Sequence, residues 1–143
     1  HKEVPMPNSV HLAKYYKMMV PQKAGQGIRL LEHLQQSEVN LLAFLAFPGK
    51  NGKAQVDCVP VDPAKFTATA KKAKWKIKGP KACFVIDGKD QVGAFVPYAE
   101  KLAKAKINIR AAAAVRGGAG RCGAILWVKQ KDVEKAAKAL GAE

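Results

Sequence analysis

The only run in the chain with the letters of a nucleotide-binding loop is Gly118-Ala119-Gly120-Arg121-Cys122-Gly123, which spells GxGxxG. A dinucleotide fingerprint needs a helix opening at its last glycine, where amide groups and the helix dipole meet the pyrophosphate. Here Ala124-Ile125-Leu126-Trp127-Val128 follows, a strand pattern, so the run reads as a hairpin turn. Arg116 and Arg121 flank it, and an anion at the turn is the one chemical use left to it. Nothing else assembles a reaction centre. His11 and His33 have no cysteine, histidine or carboxylate at ligand spacing, so no metal is expected. Ser9 and Ser37 lie in no nucleophile-elbow context, and the scattered acids form no pair placed for acid–base work. The reading is therefore not an enzyme, and no cofactor is expected.

The three cysteines, Cys58, Cys83 and Cys122, are odd in number and lack a CxxC pair, which fits a reducing cytoplasm better than a disulfide framework. No apolar run nears the roughly 20 residues that span a bilayer, no signal peptide is seen, and no membrane association is expected. The net charge of +14 is spread along the chain, +8 over residues 1–78 and +6 over residues 79–143. Such a field attracts anions, and an anion- or nucleic-acid-binding basic module is the alternative function it allows. Charge alone carries no specificity, and a solvated lysine surface explains it as well.

The strongest signal is an internal repeat. A shift of 68 residues lays Gly25 on Gly93, Leu34 on Leu102 and Asn40 on Asn108. It also lays Ala43 on Ala111, Ala46 on Ala114, Gly49 on Gly117 and Gly52 on Gly120. The boundaries drawn from it are 12–78 and 79–143, with residues 1–11 (HKEVPMPNS and two more) set aside as a loose arm or a cloning remnant.

Each copy has the same pattern. In the first, Lys14–Val20 reads as a strand ended by Pro21, and Gly25–Gln36 as a helix with Ile28, Leu31 and Leu34 on one face. Asn40–Phe47 is a continuous apolar run, as a strand covered on both faces would be. Asn51-Gly52 is a hairpin signal and Gln55–Val61 the returning strand. Asp62-Pro63 supplies a cap and first-turn proline for the helix Ala64–Ala73, and Trp75–Lys78 suits a short last strand. In the second, Lys81–Asp87 is a strand and Val92–Lys104 a helix with Phe95, Ala99 and Leu102 inward, its regular part starting near Phe95 because of Pro97. The alanines of Ile107–Val115 favour helix, but the partner segment is a better strand and the repeat decides for strand. Cys122–Val128 returns, and Asp132–Leu140 is the last helix with Asp132 as a candidate cap. No room is left for a fourth strand in this copy. The expected class is α+β: two ferredoxin-like βαββαβ units, each an antiparallel sheet with its helices on one face.

Asp87-Gly88-Lys89-Asp90-Gln91-Val92-Gly93, then Leu102–Ile109, then Arg121–Val128 and Asp132–Leu140, resembles the ACT domain signature, and Val20–Gly25 with Val39-Asn40-Leu41 repeats it more weakly. The resemblance covers residues 12–141 and is to small stand-alone tandem ACT proteins. It implies a non-catalytic regulatory protein that senses an amino acid where two domains or subunits meet, and a homodimer or a regulated enzyme as partner. A purely structural oligomerisation module is the other alternative. Carried over by position, the ligand-binding candidates are Gln22, Lys23, Ala24 and Gly25 in the first loop and Asp87, Asp90, Gln91, Val92 and Gly93 in the second. Asn40 and Asn108 join them at the start of the following strands. A glycine turn before a helix supports the placement physically, since unpaired N–H groups there suit a carboxylate.

Overall fold

The computed structural model describes residues 8–143. They form a mixed α/β fold of six strands and four α-helices. It divides into two compact units, Lys14–Lys81 and residues 8–13 with Ala82–Glu143.

The Lys14–Lys81 unit takes the later part of β1 (Ser9–Pro21), then α1 (Gln26–Gln36), β2 (Leu41–Pro48), β3 (Lys53–Pro60), α2 (Pro63–Lys72) and the first residues of β4 (Lys78–Lys89). Its strands lie in the order β2-β3-β1, antiparallel throughout. Side chains alternate faces along a strand, so Tyr16, Met18, Val56 and Cys58 share one face. Leu30 and Leu34 of α1 and Phe66 of α2 close on that face to make the core. The Tyr16 and Phe66 rings stack with centroids 5.0 Å apart. Asp62 caps α2 as expected, its carboxylate accepting from the Lys65 amide at 3.2 Å.

The second unit runs β4 from Ala82, α3 (Val96–Lys104), β5 (Ala111–Gly118), β6 (Arg121–Trp127), one turn of 3-10 helix (Gln130–Asp132) and α4 (Val133–Leu140). With Ser9–Ala13 of β1 its strand order is β1-β4-β6-β5. Phe84, Ile86, Leu126, Tyr98, Leu102, Ala136 and Leu140 form its core, together with Val10.

The repeat persists in the strand register. Tyr16 faces Cys58 as Phe84 faces Leu126, and Phe44 faces Cys58 as Ala112 faces Leu126, each at the 68-residue offset. The tetra-alanine run Ala111–Ala114 is strand, because cross-strand pairing outweighs alanine's helix preference. The glycine run at 118–123 is a hairpin: Ala119 and Gly120 have φ of 53° and 73°, matching Asn51 and Gly52 at 59° and 70°.

Several expectations change. On α1 the buried pair is Leu30 and Leu34, while Ile28 and Leu31 are exposed, because the sheet covers the stripe at i, i+4 rather than its neighbour. β2 is an edge strand with Leu42 and Phe47 exposed, not a strand covered on both faces. Asp132 occupies the first position of α4 without a side-chain capping bond. The short last strand of copy one and the first strand of copy two are one continuous strand, Lys78–Lys89. The fourth strand missing from copy two comes from the other end of the chain: Glu143 donates to the Val10 carbonyl and accepts from the Leu12 amide, both at 3.0 Å. Ser9–His11, set aside with the arm, therefore belong to β1. The rest of that arm, residues 1–7, lies outside the described residues.

Asp57 points away from the core of its unit and is nonetheless buried. Burial raises its carboxyl above the usual 3.8, against the hydrogen bond from Gln55 Nε2 (3.2 Å) and the charges of Lys17 and Lys81. A carboxyl with a raised folded pKa adds stability below its unfolded pKa and loses it as pH climbs through the folded value. Asp57→Asn should therefore raise the melting temperature near neutral pH, with the gap closing as pH falls toward 3.8. A variant less stable at neutral pH would show that the ionised carboxylate is favourable. In the same assay Leu102→Ala should cost about 2–5 kcal/mol, and Ile28→Ala on the exposed face less than about 0.5 kcal/mol.

Candidate functional site

The second unit holds a cleft of about 440 Å³ at the start of α3. That lies at the small end of the roughly 300–1,000 Å³ of ligand pockets. Ile86 and Gly88 of β4, Cys122 and Ala124 of β6, and Phe95, Tyr98 and Lys101 line it. Leu140, Gly141 and Glu143 close one side, and Asn8, Ser9 and Val10 another. Ile86, Phe95, Ala124 and Leu140 give an apolar lining, with Lys89, Gln91, Lys101, Asn8 and the Tyr98 hydroxyl as the polar groups around it.

Local sequence explains the opening. Gly88 interrupts β4 where a Cβ would stand 3.3 Å from Asn8 Oδ1 and 3.4 Å from the Tyr98 hydroxyl. The Lys89 amide donates to Asn8 Oδ1 at 2.9 Å, which holds Asn8 over the cleft. After Lys89 the chain leaves the sheet, with the Asp90 amide bonded to the Gly120 carbonyl at 2.8 Å. It turns through Gly93 at φ 69° and starts α3 with Pro97 in its first turn. Burial raises the Tyr98 hydroxyl above its ordinary pKa, with the nearby Cys122 and Asp87 adding and Arg121 opposing, so it stays a neutral donor and acceptor at physiological pH.

The sequence candidates fall in different places. Gln91 lines the cleft. Gly93 shapes the turn, and Val92 at its tip is fully exposed. The two acids of that loop are engaged by the arginines of the hairpin: Asp90 Oδ2 with Arg116 Nε at 2.7 Å, and Asp87 Oδ2 with Arg121 at 3.1 Å. Neither acid lines the cleft, and the arginines serve these pairs rather than a turn-bound anion. Gln22, Lys23, Ala24 and Gly25 are exposed in the first loop. Asn40 accepts from the adjacent Leu41 amide at 3.0 Å, and Asn108 is exposed. Sequence reasoning missed Tyr98, Lys101, Cys122 and the residues at 8–10. A glycine inside an otherwise apolar strand, Gly88, was the available signal, since it marks close approach. Among the described residues no group of three His, Cys, Asp or Glu is placed to hold a metal, and no helix is long and apolar enough to cross a membrane.

The fold is one shared by regulatory subunits. The structure of protein BT0572 from Bacteroides thetaiotaomicron matches with a TM-score of 0.75 at 16% identity, over 92% of this chain and 88% of that one. The ligand-free regulatory subunit of aspartate kinase from Thermus thermophilus matches with a TM-score of 0.62 at 15% identity, over 95% of each chain. Its counterpart from Thermus flavus matches at 0.55 and 14%, again over 95% of each. At such identities the likeness is one of fold, and at that level it agrees with the ACT-like resemblance carried by the residues. No protein-family model matches the chain, and no curated protein matches it in sequence.

Cys122 is partly exposed on the cleft, whereas Cys58 and Cys83 are buried, and burial with the charge of Asp57 pushes the Cys58 thiol up to about 12. Reactivity follows thiolate and access. A maleimide should label native protein at Cys122 and reach Cys58 and Cys83 only in denaturant, as read by peptide mass spectrometry. Equal labelling of all three would contradict this packing.

Proposed function

We propose that the chain is a non-catalytic regulatory protein built of two ferredoxin-like, ACT-like units, and that it senses an amino acid. The observation that carries this reading is the cleft itself. An apolar lining with two lysines, amides and a phenol around it lies beside the turn before α3, where the sequence resemblance expects ligand. A carboxylate suits Lys89 and Lys101, and the preceding turn residues Gln91 and Gly93 hold the helix start in place. The regulatory subunits that share the fold support the regulatory role. The partner is a second copy or a regulated enzyme in the cytoplasm. A ligand acts on such a partner only through unequal affinity for two states of the protein.

Thermal shift against the twenty amino acids tests the reading. A ligand at about 100 times its dissociation constant stabilises the native state by about 2.7 kcal/mol. One or a few amino acids should raise the melting temperature by several degrees. The response should persist at raised salt, unlike binding through phosphate contacts. Gly93→Val, which forces a branched side chain to φ 69°, should lose the response while its circular dichroism stays native. Silence across the panel would remove the sensing role.

A further inference from the structure

Because the two units share a strand register, every cleft position in the strands and the first helix has a counterpart 68 residues earlier. Gly88 corresponds to Val20, Tyr98 to Leu30 and Lys101 to His33. Past the second helix the offset is 67. The left-handed Gly141 (φ 66°) answers Lys74 (φ 60°), and the Ala142 amide bonds the Ala137 carbonyl as the Trp75 amide bonds that of Ala70, both at 2.9 Å. Ala142, between the lining residues Gly141 and Glu143, thus corresponds to Trp75.

These substitutions reverse the packing. In the Lys14–Lys81 unit Val20 and Trp75 both pack against the core, and the Trp75 ring lies 5.1 Å from that of His33. The space that Gly88 and Ala142 leave open in the second unit is there occupied by the protein's own side chains. The ligand chemistry follows from the open version. Ile86, Phe95 and Leu140 offer apolar surface, Lys89 and Lys101 two positive charges, and Glu143 one negative charge.

We infer that the repeat carries one ligand site and not two: the second unit's cleft takes an amino acid with an apolar side chain, and the first unit's counterpart is filled by Val20 and Trp75. This rests on the sensing role proposed above and adds its stoichiometry and its selectivity.

Isothermal titration of the full chain with L-leucine and L-phenylalanine tests it, with L-aspartate and L-lysine as contrasts. The expected result is about one ligand per chain, with the charged amino acids weaker by roughly tenfold or more. Gly88→Val should weaken binding by at least about tenfold. Lys101→Met, on an exposed helix position that folding does not need, should do the same. Val20→Ala in the other unit should leave the dissociation constant unchanged. Two ligands per chain, tighter binding of aspartate or lysine, or affinity untouched by both Gly88→Val and Lys101→Met would overturn the inference while leaving a sensor. If none of the amino acids binds, the sensing role falls with it.

Discussion

Strand register is the constraint on which the rest depends. A slip of one residue in pairing would turn each core side chain to the wrong face. Here the same register is set twice. Position 58 lies between 16 and 44, and position 126 between 84 and 112. Each time a two-residue turn with both φ positive closes the outer hairpin. Each time the turn's glycine carbonyl accepts from the chain just as it leaves for the first helix, Gly52 from Gln22 and Gly120 from Asp90, both at 2.8 Å. That bond ties the hairpin tip to the loop before the helix. Register, turn geometry and the placement of the first helix are therefore one linked decision, and the cleft is positioned by it.

Much of this was legible because it is written in local chemistry. Asn51-Gly52 and the glycines at 118 and 120 announce turns that need positive φ. Asp62-Pro63 announces a helix start. The repeat carried the alanine strand, which propensity alone would have misassigned. What was not legible depended on distant partners. Whether Leu30 or Leu31 is buried depends on which side of α1 meets the sheet, and both leucines fit an amphipathic period. An apolar edge strand such as β2 has the same letters as a central one, because pattern reports apolarity and not neighbours. The strand that completes the second unit is supplied from residues 9–13, at the opposite end of the chain, and no window of sequence around 140 contains it.

The site followed the same division. The loop from Lys89 to Gly93 was identifiable from glycine and the approaching helix, and Lys89 and Gln91 do line the cleft. Its acids were attractive partners for an ammonium group. Yet two arginines of the facing hairpin, about 26 to 34 residues further along, already engage them. A charged pair satisfied at 2.7 Å has less to offer a ligand than a lysine at the lip of a cleft. Cys122, Tyr98 and Asn8 come from three elements, and only the fold assembles them.

The two units differ in what completes their packing. Full burial of a valine-sized side chain contributes about 1.5–3 kcal/mol, and Val20 contributes within its unit what Gly88 forgoes in the other. A ring at position 75 adds further apolar contact that Ala142 cannot match. The second unit therefore keeps a gap in its own packing next to Tyr98, with its floor apolar and its polar groups outside. A molecule whose apolar part fills that gap restores the missing contacts only in the conformation that has formed the cleft, which is the unequal affinity for two states that regulation requires. The duplicated unit thus separates two demands that oppose each other at a single site: one copy is packed by its own residues, and the other leaves packing to be completed from outside.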